Sequence, residues 1–279
     1  MQLTLEQLAL YERDGFLVLP DFIPPHQCDE LMQEAESLVN EFEPQGVATI
    51  FSSRDQERVI NDYFMSSGDQ IRFFFEPNAF ESNGQLRQSK NLSINKIGHA
   101  LHDLNPLFNR FSRQKFLEGI AHSIGFQDPR LMQSMYIFKQ PRIGGEVVCH
   151  QDSTFLYTEP MSVVGFWFAL QDATTTNGCL HALPGGHRIG LKRKFYRDEQ
   201  NNAKFLEIDT SPWPEEGYIP LEAKKGTLVL LHGLLPHLSG PNHSDFSRHA
   251  YTLHMIEGNA KYPKENWLQR RADMPALGF

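Results

Sequence analysis

In a chain of 279 residues, the first pattern with chemical meaning is His150-Gln151-Asp152. On a strand, residues i and i+2 share a face, so an imidazole and a carboxylate there aim together. Such a pair makes one edge of a metal site and needs a third ligand. The segment from Leu231 to Ser244 offers His237, past the turn at Gly233; His232, at the end of the preceding apolar run, is the alternative. Two imidazoles and one carboxylate from separate segments would cover one face of an iron ion. The other face would stay open for a bidentate co-substrate and oxygen, as in non-haem Fe(II) oxygenases. A hydrogen-bonded histidine beside a solvated aspartate is the plainer account of the first pair.

Arg248 heads the last apolar strand, and a guanidinium there can grip a carboxylate bidentately, with Ser239 adding a hydrogen bond. That pair suits the far carboxylate of 2-oxoglutarate, whose near end chelates iron; a surface salt bridge is the simpler use of Arg248. Cys149 faces away from His150 and is a small buried residue before it is a reactive thiol. His187 follows the Gly185-Gly186 turn and reads as structural, whereas His181, His249 and His254 lie on strands whose facing is open. Lys192-Arg193-Lys194 reads as a solvated charge run, with a phosphorylated substrate as the alternative. No Gly-x-Ser-x-Gly elbow, phosphate loop or His-Glu-x-x-His is present, which removes hydrolase, nucleotide and zinc-protease chemistry.

These residues need elements to hold them. Thr4 can cap a helix over Leu5–Arg13, and Gly15 then stops it before the strand Phe16–Leu19. Pro24-Pro25 opens a helix over His26–Phe42. From Gly46 to Ile94 the periodicity is weak, with Phe51, Ile60, Phe64 and Phe73–Phe75 scattered as short strands and excursions beside a pocket. A third helical region, Ala100–Ile124, breaks at Asn105-Pro106. After Asp128 the pattern turns to strands: Gln133–Gln140, Ser162–Leu170, Gly226–His232 and Arg248–Ile256, separated by Gly-rich turns. The polar stretch Leu191–Gly217 reads as a surface insertion. The expected class is α+β, one domain over 1–279, helical to about residue 128 and stranded mostly over 129–257.

Composition narrows the function classes. Lys and Arg number 26 against 34 Asp and Glu, a net charge of −8, which argues against a nucleic-acid or anionic-membrane binder. Three cysteines without a Cys-x-x-Cys argue against a disulfide framework and fit a reducing interior. The N-terminus lacks a basic start and apolar run, no stretch approaches a membrane span, and Pro275–Phe279 is not a peroxisomal signal. The expectation is a soluble intracellular protein, placed in the cytoplasm.

The ordered set His150-x-Asp152, Trp167, Asn177-Gly178-Cys179-Leu180, Pro184-Gly185-Gly186-His187, His237-x-Ser239 and Arg248 resembles the phytanoyl-CoA dioxygenase family. Asp14-Gly15-Phe16-Leu17-Val18-Leu19, Lys139-Gln140-Pro141, Gly144-Gly145-Glu146 and Glu265-Asn266-Trp267-Leu268 extend the resemblance over nearly the whole chain. It implies a double-stranded β-helix (jelly-roll) core with N-terminal and flanking helices. It also implies Fe(II) on His150, Asp152 and His237, and 2-oxoglutarate contacts at Lys96, Met135, Trp167, Ser239 and Arg248. By pattern alone Met135 and Trp167 are barrel core, and they can be both core and pocket wall; for Lys96 a solvated helix-edge charge is the alternative. The implied activity is O2-dependent hydroxylation or oxidative demethylation of a small molecule, an acyl or CoA-type compound among the options. Succinate and CO2 are released, with ascorbate in support. Two rivals keep the same ligands: a metal-binding jelly-roll without turnover, and a cupin-like isomerase or hydrolase that uses no 2-oxoglutarate.

Overall fold

A computed structural model describes residues 1–44, 49–52 and 61–279; Gly46 and Ile60 lie outside the described residues. Helix α1 (Leu5–Asp14) starts at a capping box in which Thr4 and Gln7 each accept a hydrogen bond from the other's backbone N–H. Gly15 ends it at φ +79°, and a Cβ there would sit 2.4 Å from His187 Nδ1, so only glycine fits. Strand β1 (Phe16–Leu19) follows, and then α2 (Pro25–Glu41), which buries Cys28, Leu31, Ala35 and Val39 along one stripe. Next come α3 (Asp62–Met65), β2 (Ile71–Phe75) and β3 (Ile94–His99). The helical region is split into α4 (Leu101–Leu104), α5 (Pro106–Ser112) and α6 (Lys115–Ser123). The break falls where the Asn105 side chain accepts from Leu107 and Phe108 N–H and Pro106 takes the first helical position.

The remaining strands are β4 (Pro129–Ile137), β5 (Val147–His150), β6 (Val164–Ala169), β7 (Leu180–Ala182), β8 (Arg193–Arg197), β9 (Ala203–Glu207), β10 (Ile219–Leu221), β11 (Leu228–His232), β12 (His237–Ser239) and β13 (Ala250–Glu257). Seven strands form one antiparallel sheet in the order β1-β11-β6-β13-β4-β3-β2, and β10-β7-β12-β5 form the second. The two pack face to face as a jelly-roll, the α+β double-stranded β-helix that the motifs implied.

Strand alternation divides the large sheet's side chains between two faces. Phe166 and Phe168 of β6, with Tyr251 and Leu253 of β13, join a core with Leu31, Phe108 and Phe111 of the helices. Trp167, Ala169, Val229 and Leu231 point the other way, into the space between the sheets. Helices therefore back the large sheet and the second sheet closes its front, leaving the site between them.

Two expectations need correction. The label of a helical first 128 residues is too coarse: β1, expected over Phe16–Leu19, and β2 and β3, from the weakly periodic stretch, are members of the large sheet. The stretch Leu191–Gly217 is not only a surface insertion, because β8 and β9 form a hairpin. Its Phe195 is buried and meets Phe64, Phe155, Phe205 and Trp267. Composition explains the misreading, since charges dominate the hairpin and hide the aromatics among them: Arg193 and Arg197 share a strand face with Phe195, and Arg193 stacks on Phe205. Among the described residues no helix is long and apolar enough to cross a membrane.

Candidate active site

Strand register sets the first contact. In the β12–β5 pair His237 stands directly opposite His150, with ring centroids 4.2 Å apart. Each ring holds its Nδ1 against a backbone carbonyl two residues upstream, Val148 for His150 (2.9 Å) and Leu235 for His237 (3.0 Å). A carbonyl can only accept, so each Nδ1 carries the proton and each Nε2 is left as a lone-pair donor. Both Nε2 atoms lie 3.7 Å from Asp152 Oδ1, and the ligand atoms of all three residues fall within 4.8 Å of one another. This donor set fits an iron ion, two neutral imidazoles and a carboxylate on one side.

Asp152 is not on the strand, as the i, i+2 pattern supposed. β5 stops at His150, Gln151 is extended, and Asp152 opens a single 3-10 turn over Asp152–Thr154. The buried Gln151 amide makes that turn by donating to the Gly190 and Leu234 carbonyls and accepting from Lys192 N–H. Because Gln151 is extended, the carboxylate still leaves on the same side as His150. Burial alone would raise the Asp152 carboxyl, but His254, then His237 and His150, hold it below the usual range. It is therefore a carboxylate at neutral pH, as a ligand must be.

His232 stands elsewhere. It faces Tyr11 and His187, accepts a hydrogen bond from Leu234 N–H, and burial pushes it down to about 4. The structure brings His237, and not His232, to His150 and Asp152.

Arg248 is 2 % exposed and precedes β13. Its Nε donates to the Gly178 carbonyl (3.2 Å), and its Cζ lies 5.4 Å from the Trp167 ring centre. Nη1, also buried, has no hydrogen-bond partner among the described residues. Burial pulls the guanidinium down to about 10, so it remains charged. An unpartnered buried N–H on a cation is costly unless a ligand meets it. Ser239 donates to the same Gly178 carbonyl (2.9 Å) and accepts from Arg248 Nη2 at 3.5 Å, so its proton is committed to the backbone.

Lys96 is no helix-edge charge. It lies buried within β3, its Nζ 3.6 Å from Met135 Sδ and 3.3 Å from the Phe51 ring centre. The charge run is only partly solvated: Lys192 is buried on Asp209 and Ser211, Arg193 stacks on Phe205, and Lys194 stacks on Tyr157. A cavity of about 160 Å³ joins these parts, with His150, Asp152, His237 and Arg248 on its wall and Phe51, Phe64, Phe155 and Trp267 among its apolar lining.

The pattern described as Phytanoyl-CoA dioxygenase (PhyH) matches residues 11–250. The chain belongs to this family. Phytanoyl-CoA dioxygenase 1 of Oryza sativa subsp. japonica is 46% identical over 270 residues, covering 96% of this chain and 95% of the rice protein. Phytanoyl-CoA dioxygenase domain-containing protein 1 of Mus musculus is 42% identical over 283 residues, covering 98% of this chain and 97% of the mouse protein. In fold, EctD from S. alaskensis with bound Fe matches at TM-score 0.68 and 20% identity, over 99% of this chain and 86% of that one.

This phytanoyl-CoA dioxygenase family chain also holds site residues that the motifs left aside. His254, on β13, places Nε2 3.3 Å from Asp152 Oδ2. Gly165 of β6 lies beneath both, where a Cβ would come within 3.1 Å of that oxygen and 3.4 Å of the His254 ring. The available signal was alternation: Gly165, Trp167, Thr252 and His254 share the inward face with Met135, but the facing of β13 depends on its neighbours.

Proposed function

We propose that this chain is an Fe(II)- and 2-oxoglutarate-dependent dioxygenase acting on a small apolar substrate. The observation that carries it is one cavity holding the His150–Asp152–His237 donor set together with a buried guanidinium whose Nη1 lacks a partner. His150, Asp152 and His237 would hold the iron, and Arg248 would grip the distal carboxylate of 2-oxoglutarate. Trp167, Met135, Lys96 and Ser239 would complete that subsite, Ser239 by fixing Arg248 through Gly178. Iron supplies O2 activation coupled to the conversion of 2-oxoglutarate to succinate and CO2. The chain's own part is placement: two tautomers fixed by carbonyls, a carboxylate kept ionised, and Phe64, Phe155 and Trp267 keeping water from the substrate. Those aromatics support an acyl or similarly apolar compound, hydroxylated or oxidatively demethylated, and a CoA conjugate falls in that class. Residues 1–279 would work as one catalytic unit in a reducing intracellular setting, in keeping with free Cys28, Cys149 and Cys179.

The test adds 2-oxoglutarate to Fe(II)-loaded protein without oxygen, follows the visible charge-transfer band, then admits air and assays succinate. A band and slow succinate release, both absent in Asp152→Ala, are expected. Tight iron binding by Asp152→Ala would remove the ligand assignment. Iron without a band or succinate would favour metal-site chemistry that uses no 2-oxoglutarate.

A further inference from the structure

Behind Arg248 lies a second buried cation that the motifs did not use for chemistry. Lys139 is 1 % exposed, sits just past β4 at φ +42°, and lines the same cavity. Its backbone carbonyl accepts from Asn242 Nδ2 (2.9 Å) and from Arg248 N–H (3.3 Å), so lysine and arginine are tied at the main chain. Its Nζ donates to the Gly145 carbonyl (2.7 Å), the one hydrogen-bond partner it has among the described residues. The two side chains meet at Gly178. A Cβ on Gly178 would lie 2.5 Å from Lys139 Cε, while its carbonyl receives Arg248 Nε and Ser239 Oγ. On the far side, Gly145 N–H donates to buried Glu76 Oε2 (3.0 Å), which also receives Asn95 Nδ2 (2.8 Å).

Arg248 is charged and buried, and the buried amine of Lys139 stands beside it. Glu76, whose carboxyl burial raises, is the buried acid on the far side; Glu146 is half-buried, and the Cys179 thiol is pushed up to about 11 by burial and so is neutral. A carboxylate entering this corner of the cavity would meet both nitrogen groups. The left-handed backbone of Lys139 is held by two donors to its carbonyl, Asn242 Nδ2 and Arg248 N–H, which fixes where the side chain starts.

We propose that Lys139 is a further cationic group of the carboxylate subsite, sharing the distal carboxylate of 2-oxoglutarate with Arg248. This rests on the dioxygenase reading and adds a residue to its co-substrate site. It has a consequence at neutral pH. Burial, followed by the repulsion of Arg248, pulls Lys139 down to about 7, with Glu76 and Glu146 opposing. In the free protein a share of Lys139 is therefore uncharged near pH 7, and a carboxylate beside it restores the proton. Binding of 2-oxoglutarate then takes up a proton, and affinity weakens by about tenfold per pH unit above roughly 7.

The experiment is calorimetric titration of anaerobic Fe(II)-loaded protein at pH 7 in two buffers of different ionisation enthalpy. The ligands are 2-oxoglutarate and 2-oxopentanoate, which share the chelating end and differ in the distal carboxylate. Uptake of about half a proton is expected with the first, since a group near pH 7 is half charged, and none with the second. Lys139→Met should abolish the uptake and weaken 2-oxoglutarate by about 10- to 150-fold, the range for a hydrogen bond to a charged group, leaving 2-oxopentanoate unchanged. Uptake that persists in Lys139→Met would assign the proton to Glu76 and overturn the proposal. Equal weakening of both ligands would reduce Lys139 to a structural prop. If Lys139→Met does not fold, the wild-type comparison decides, because equal uptake with both ligands, or none with either, refutes the role. Wild-type protein that binds 2-oxopentanoate and 2-oxoglutarate equally loosely, with no charge-transfer band, would instead overturn the dioxygenase reading and this role with it.

Discussion

Single atoms decide the proposed iron site. Gly165 leaves the space that Asp152 and His254 occupy, and Gly165→Ala would press a methyl to 3.1 Å from Asp152 Oδ2. Disturbing the groups that orient a ligand weakens metal binding by about 10- to 100-fold, and an iron titration of Gly165→Ala should show a loss in that range with the fold retained by circular dichroism. Unchanged affinity would mean that the carboxylate can turn without cost. Arg248→Ala removes a charge-assisted bond to the co-substrate, so 2-oxoglutarate should bind about 10- to 150-fold more weakly while iron still binds. Ser239→Ala should cost less, because its hydroxyl holds Gly178 and Arg248 rather than reaching the ligand itself. A larger loss in Ser239→Ala than in Arg248→Ala would reverse their order.

At the scale of elements, two pieces place the chemistry. Pairing of β12 with β5 sets His237 against His150, and a slip of one residue would turn one imidazole out of the site. The β8–β9 hairpin backs the aromatic wall through Phe195, which packs 4.8 Å from the Phe205 ring and 5.7 Å from that of Phe155, behind the cavity lining. Phe195→Ala should lower unfolding free energy by about 3–5 kcal/mol, the usual result of emptying a buried aromatic position, read from urea denaturation. The same variant should consume 2-oxoglutarate with less substrate oxidation, since water gains entry beside Phe155. Full stability in Phe195→Ala would show that the hairpin only rests on the barrel.

Over the whole molecule, the C-terminal segment is stitched to the helices by buried charge. Asp103 of α4 pairs with Arg113 at 2.6 Å and with Arg270, whose Nη1 reaches the Met132 carbonyl of β4. Arg270 is 4 % exposed, so Asp103→Ala would strand a buried cation, a loss of about 3–5 kcal/mol. Burial raises the Asp103 carboxyl, but His102 and Arg270 outweigh it and hold it below the ordinary range. A depressed folded value means the contribution is complete above the unfolded value of about 4 and fades as pH falls below it. Urea midpoints of wild type and Asp103→Ala should therefore differ most at pH 5–7, and the gap should narrow steadily as pH falls below about 4, with part of it still present at pH 3. A gap that is constant with pH would show that the ion pairs do not set it.

The residue types that can hold iron and a dicarboxylate, and the family, are legible in the sequence because they sit in short ordered motifs around His150, His237 and Arg248. So are α1, β1 and the break before Pro106, since caps, glycines and prolines act locally. Alternation along β6 carries Trp167 inward and Phe166 outward once the strand is recognised. Other features depend on which strand lies beside which. His232 and His237 have the same side chain and both close short apolar runs, and only pairing with β5 tells them apart. Lys96 looks like a solvated charge until β3 is laid between β2 and β4. His254 reaches Asp152, and Lys139 reaches Gly178, across separations of about a hundred and about forty residues in the chain. Such contacts form when distant strands close around a shared interior, so local pattern carries no trace of them.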